Sequence, residues 1–234
     1  MRKAYLMNIK DLPVGEALLL VPAWRREKAE RLRFEKDKKR SLGAWLLLMY
    51  ALKKEGLSCG EIAFGERGKP YFTDETLPRF CLSHSGNYAL CAVADEEVGC
   101  DVQEMVAPSP SLIGRVCTDR EKELFLTSPM VKLPSDSETD EAVPTSSAVG
   151  GRHLPRRGRQ EEIDILFTSL WAKKESLLKL SGLGMAADLT KAEASSGPCF
   201  FLDGHAVYAC TENGGFPQET AVVSLNEVLS LLKI

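Results

Sequence analysis

Only three histidines, His84, His153 and His205, occur in the 234-residue chain, none paired with a cysteine at ligand spacing. A structural zinc site needs such pairs, so none is expected. The seven cysteines, Cys59, Cys81, Cys91, Cys100, Cys117, Cys199 and Cys210, are odd in number and include no C-x-x-C pair. Most sit inside apolar runs, which argues against a disulfide framework and for reduced, buried thiols in a cytoplasmic protein. No apolar run approaches the ~18 residues of a membrane span, and no clean apolar stretch follows Arg2 and Lys3 as in a signal peptide. Neither membrane insertion nor secretion is expected. Net charge is only −3, so there is no global pull towards nucleic acid, and any anion must be held by a local patch.

What is present is a chain that is 44% apolar, enough to bury one substantial core or two small ones. Residues 25–40, RREKAERLRFEKDKKR, carry nine basic residues against four acidic ones and favour helix. The run Leu42–Leu52 that follows, LGAWLLLMYAL, suits a helix buried on several sides. Tyr88–Ala94 and Val98–Gln103, separated by the turn-like Asp95–Glu97, read as the two strands of a hairpin. Residues 127–162 shift to Pro, Ser, Thr, Asp and Glu with no amphipathic period, which reads as a mobile insertion. From Ile163 a helix is expected across LFTSLWAKKESLLKLSG, ended by Gly182 and Gly184. Phe200–Ala209 and Glu219–Ser224 read as strands of a second sheet. The fold class is α+β, with one subdomain over 1–104 and another over 105–234.

Asp101 and Gln103, two apart on a strand, share a face. Trp171, Glu175 and Lys179, spaced i, i+4 and i+8, share a face of the later helix, so Glu175 could meet Asp101 across a cleft. Spacing alone leaves open a surface Glu175–Lys179 pair worth ~0.3 kcal/mol and an Asp101 that closes a turn. In FCLSHSG, His84 lies between Ser83 and Ser85, but neighbours on a strand face opposite ways and no G-x-S-x-G elbow is present, so a structural histidine is the default. Gly68-Lys69-Pro70 reads by itself as a turn.

The order of these pieces carries more than any one of them. Gly68-Lys69-Pro70, FCLSHSG, VGCDVQ and LWAKKESLLKLSGLG, in sequence, resemble the motif set of the Sfp-type 4′-phosphopantetheinyl transferases: G-K-P, N-[IL]-S-H-S, [GI]-[IV]-D-[IV]-E and W-x-x-K-E-[SA]-x-x-K. The resemblance runs from about Arg25 to Gly184. It implies two similar α/β subdomains related by a pseudo-twofold axis, with coenzyme A and magnesium in the cleft between them. It further implies transfer of phosphopantetheine to a serine of an apo acyl or peptidyl carrier protein, with release of adenosine 3′,5′-bisphosphate.

Carried over by motif, Asp101 and Glu175 match the magnesium-binding carboxylates, and Glu175 also the candidate general base. Lys179 matches a phosphate-binding lysine, and His84, with Ser83 beside it, the residue that meets the coenzyme A phosphates. Lys69 matches the lysine near the adenine nucleotide, and Arg25, Lys28, Arg40 and Ser41 align with the basic helix that grips the 3′-phosphate and diphosphate. Two departures stand out. Gln103 occupies the place of a third metal-binding glutamate, a neutral and weaker ligand, and Cys81-Leu82 replace the residues before Ser-His-Ser. The remaining expectations are a monomer that binds neither nucleic acid nor membrane, and a carrier-docking surface around Leu124 and Phe125. A coenzyme A binder without turnover is the alternative that Gln103 leaves open.

Overall fold

A computed structural model of the chain describes residues 1–126, 156–182, 188–194 and 196–233. In chain order they form β1 (Arg2–Asn8), α1 (Val14–Leu20), α2 (Ala23–Glu30), α3 (Glu35–Lys54), β2 (Ile62–Phe64), β3 (Pro70–Phe72), β4 (Arg79–Ser85), β5 (Tyr88–Ala94) and β6 (Val98–Glu104). Then come α4 (Pro110–Val116), α5 (Asp119–Leu126), α6 (Arg156–Leu180), β7 (Phe200–Leu202), β8 (His205–Thr211), β9 (Gly214–Gly215), β10 (Thr220–Val223) and α7 (Leu225–Leu232). Short 3₁₀ turns occupy Leu189–Lys191 and Pro217–Glu219. The architecture is mixed α+β, and no helix among the described residues is long and apolar enough to cross a membrane.

The basic stretch makes two helices where one is expected. Phe34 is extended (φ −100°, ψ 139°), and Glu35 and Asp37 then supply the acidic first turn that favours a new helix start. From Ser41 onward α3 is buried almost all round, and each enclosed leucine contributes roughly 1.5–3 kcal/mol. The first sheet has the strand order β10-β1-β5-β4, with β1 and β10 parallel and the other pairs antiparallel. β5 is buried along both faces. Ala89, Cys91 and Val93 pack towards α3, while Leu90, Ala92 and Ala94 join Val98, Cys100, Val102, Val207 and Ala209 of the second sheet, β6-β8-β7. On the far side of that sheet, Ala206, Tyr208 and Cys210 meet Ala172, Leu177 and Leu180 of α6.

Several expectations need correction. Residues 88–94 and 98–103 do not form a hairpin, because β5 is already flanked by β1 and β4, and β6 pairs with β8 instead. Phe200–Ala209 is broken at Asp203 and Gly204, whose φ of 45° and 69° turn the chain between β7 and β8. β10 belongs to the first sheet, not the second. The sheets therefore do not follow a division at Glu104: β6 ends there yet pairs forward with β8, and β10 pairs back with β1. The later helix starts at Arg156, well before Ile163, and the rest of the expected insertion, 127–155, lies outside the described residues. Gly182, with φ 67°, ends the helix as expected, and Gly184 lies outside the described residues.

Candidate active site

Gly99 sets how closely α6 lies on β6. A Cβ at that position would sit 1.9 Å from the Ser176 carbonyl oxygen and 2.6 Å from the Leu180 nitrogen, so only glycine admits the helix backbone here. Two residues along the same strand face comes Asp101, which the approach brings into contact with α6. Its Oδ1 accepts from Lys179 Nζ at 2.6 Å and from Ser83 Oγ at 2.7 Å, and Lys179 Nζ also donates to Ser83 Oγ at 2.9 Å.

Ser83 reaches this triangle because β4 and β6 lie side by side without a backbone ladder between them. Cys81 Sγ, Ser83 Oγ and Ser85 Oγ accept from the amides of Cys100, Val102 and Glu104 at 3.2, 3.3 and 3.0 Å. The period of two along β4 aims all three side chains at β6. His84 points the other way and is exposed.

Two carboxyls face each other in this cleft. Asp101 is 5% exposed, and its Oδ2 is buried with no hydrogen-bond partner among the described residues. Glu175 is half-buried and accepts from Trp171 Nε1 at 3.4 Å. Burial and, secondly, the Asp101 charge raise the Glu175 pKa above the ordinary carboxylate value. Burial, the largest single effect, would lower the Lys179 pKa, but the charge and hydrogen bond of Asp101 together with Cys81 and Cys100 outweigh it and the ammonium is held above its usual range. An orphaned carboxylate oxygen beside a carboxyl that resists ionisation is a donor set suited to a small hard cation, which takes carboxylate oxygens together with water. Gln103 shares the Asp101 strand face, with its Nε2 donating to Glu104 O at 3.2 Å. Among the described residues no three His, Cys, Asp or Glu side chains are grouped to hold a metal, so the candidate ligands are two carboxylates and one amide.

The basic helices converge on the same end of β4. Arg40 Nε donates to Gly86 O at 3.0 Å, pinning α3 to the turn after His84. Arg25 is held by Ser41 O at 2.7 Å and lies 5.8 and 5.3 Å from the Trp24 and Trp45 ring centres, and its Nε has no partner among the described residues. Burial lowers Arg25 to about 10, and Lys28 is lowered by desolvation and then by Arg25. The His84 pKa is lowered by desolvation and next by the cations Lys179, Arg40 and Arg25. Ser41 is buried, whereas Lys28 is exposed. Arg40 pairs with Asp37 at 3.4 Å, whereas Arg25 and Lys28 have no carboxylate partner among the described residues, as at a site that receives an anion.

Lys69 stands apart. Its ammonium donates to Glu97 Oε2, Val98 O and Leu180 O at 2.9, 3.1 and 3.2 Å, clamping the β2–β3 hairpin to β6 and to the end of α6. With Arg67, Phe80, Leu82 and Lys179 it lines a groove of about 210 Å³. Of the expected docking pair, Leu124 is 65% exposed, but Phe125 is 3% exposed and packs edge-on against Phe167, so it belongs to the core. Sequence reasoning assigned no role to Lys174, which is fully buried. Its signals were its place as the first lysine of W-x-x-K-E-[SA]-x-x-K and its position in the stripe Ile163, Phe167, Trp171, Lys174 and Leu178, where a lysine interrupts the apolar helical period.

No family model matches the chain. Curated proteins do. A 4′-phosphopantetheinyl transferase of Bacillus subtilis is 30% identical over 77% of this chain and 70% of its own length. The 4′-phosphopantetheinyl transferase Sfp of Bacillus subtilis strain 168 is 23% identical over 88% of each chain, and the AcpT transferase of Escherichia coli O157:H7 is 30% identical over about half of each. Similarity of this extent, on a chain whose ordered motifs supply the Ser83–Asp101–Lys179 triangle and Glu175, makes the protein an enzyme of the Sfp-type 4′-phosphopantetheinyl transferase family.

Proposed function

We propose that this enzyme moves the 4′-phosphopantetheine group of coenzyme A onto a serine hydroxyl of an apo acyl or peptidyl carrier protein in the cytoplasm, acting as a magnesium-dependent monomer. The observation that carries the reading is the buried, unpartnered Asp101 Oδ2 beside Glu175, with Lys179 at the same carboxylate. Asp101 and Glu175 would hold the ion, with the Gln103 amide or water completing its shell. Magnesium would supply charge neutralisation for the diphosphate as its bond breaks.

The chain's own groups divide the remaining work. Arg25, Lys28, Arg40 and His84 form the basic side that receives the 3′-phosphate and diphosphate, and Lys179 reaches the phosphate from the carboxylate side. Lys69 positions the groove wall through its three acceptors. The serine oxygen bonds to the phosphorus that carries pantetheine, the phosphoanhydride bond to the adenosine bisphosphate breaks, and the hydroxyl proton passes to Glu175. The packing of α3 on the first sheet and α6 on the second supports, within the same reading, two halves related by a pseudo-twofold axis.

Intact-mass analysis of a panel of apo carriers, incubated with the enzyme, coenzyme A and magnesium, tests the proposal. One phosphopantetheine mass added to a carrier, and lost with EDTA, is the expected result. Tight coenzyme A binding with no carrier modified would leave a binding protein without turnover.

A further inference from the structure

We propose that Lys174 is a positioning residue for the transfer, fixing the cleft wall that faces Glu175. The inference rests on the transferase reading and assigns a role to a residue that reaches neither carboxylate. Its ammonium is wholly enclosed, and its donors go to three separate elements on that wall. Nζ donates to Val116 O at the end of α4 at 2.8 Å, to Leu189 O in the 3₁₀ turn at 3.1 Å, and to the Glu121 carboxylate of α5. Glu121 is itself fixed: its Oε2 accepts from Thr118 N at 2.7 Å, and its amide donates to Thr118 Oγ1 at 3.2 Å.

Val116 and Leu189, the two residues whose carbonyls Lys174 holds, line a cleft of about 670 Å³ together with Arg115, Trp171, Thr190 and Glu175. Glu175 thus looks into a space whose opposite wall is tied to its own helix through the preceding residue. Stability alone is a poor explanation for the arrangement, because a buried ion pair is often replaced by apolar side chains at no cost. What an apolar plug cannot do is hold two carbonyls and a carboxylate at fixed distances from α6. Lys69 and Lys179 line a different groove, and none of the basic residues proposed for coenzyme A lines this cleft, so coenzyme A affinity can be read separately from the geometry of this wall.

The test is Lys174→Met in the full chain, with kcat and carrier KM measured by carrier loading and the folded fraction counted as coenzyme A-binding sites by calorimetry. Expected is a fall in kcat per binding site of about 100-fold, the effect of an ångström-scale misplacement, with coenzyme A affinity nearly unchanged. An unchanged kcat per binding site, with only the number of sites reduced, would make Lys174 merely structural and overturn the proposal. Should Lys174→Met fail to fold, Glu121→Gln keeps the shape and removes the counter-charge, and is expected to lower kcat in the same direction by a smaller factor; an unaltered kcat there overturns it equally. A wild-type enzyme that loads no carrier would overturn both readings, whereas an active wild type with an equally active Lys174→Met overturns the positioning role alone.

Discussion

Gly99→Ala is a one-carbon change with a calculable geometric demand. The new Cβ would begin 1.9 Å from Ser176 O and 2.8 Å from Leu180 Cβ, and ordinary contact begins near 3.4 Å. Both Ser176 O and Leu180 N are backbone atoms of one helix segment, so no side chain can swing aside; α6 must retreat by about 1.5 Å or β6 must bend. Overpacking of a core costs ~1–3 kcal/mol, and a clash against backbone belongs at the upper end. For a chain of this size, ~3 kcal/mol lowers Tm by roughly 6–12 °C. The same retreat stretches the 2.6 Å Lys179–Asp101 contact and draws Glu175 away from Asp101. Displacement on that scale is expected to cut carrier loading by ~100-fold or more. Thermal unfolding and loading kinetics should be measured beside Gly15→Ala in α1, where an added Cβ meets nothing within 4 Å and a small gain of about 0.5 kcal/mol is expected. A Gly99→Ala enzyme with unchanged Tm and full activity would refute the claim that this close approach builds the site.

Glu175→Gln should reduce loading by ~10²–10⁴-fold while leaving the fold intact, read as kcat with Tm as control. Because the folded-state pKa of Glu175 is raised, its protonated form favours the fold at low pH and that contribution is lost as pH climbs through the raised value; in metal-free buffer, urea midpoints of Glu175→Gln should lack this loss. Arg25→Met removes a desolvated cation whose Nε has no partner, so coenzyme A affinity should drop ~10-fold or more while apo-enzyme stability holds or rises, measured by calorimetry and thermal unfolding. Gln103→Glu replaces a neutral oxygen donor by a charged one and should lower the magnesium concentration for half-maximal loading; a higher requirement would place Gln103 outside the metal shell.

Much of the site was legible because its parts follow local periods. The two-residue period puts Asp101 and Gln103 on one strand face, the helical period puts Glu175 and Lys179 on one side of α6, and Lys179 meets Asp101. The buried helix over 42–52 was equally plain from its composition. What failed was non-local. Tyr88–Ala94 and Val98–Gln103 look like a hairpin because nothing in either strand says that β1 and β4 already occupy both edges of β5. The parallel β1–β10 pair joins residues more than 200 positions apart, beyond any local pattern. Lys174 went unread because charge usually marks a solvated face, and its three acceptors come from elements 15 to 58 residues away.

The seam between β4 and β6 has a consequence for solubility. β4 ends the first sheet and β6 ends the second, and each would otherwise show a row of bare amides and carbonyls to any extended peptide that drifted past. Cys81, Ser83 and Ser85 fill the amides of β6 with their own side chains, so one vulnerable border covers another and the two sheets still remain separate. The opposite border of the first sheet is β10, four residues long, which is too short to make an inviting template for fibre growth.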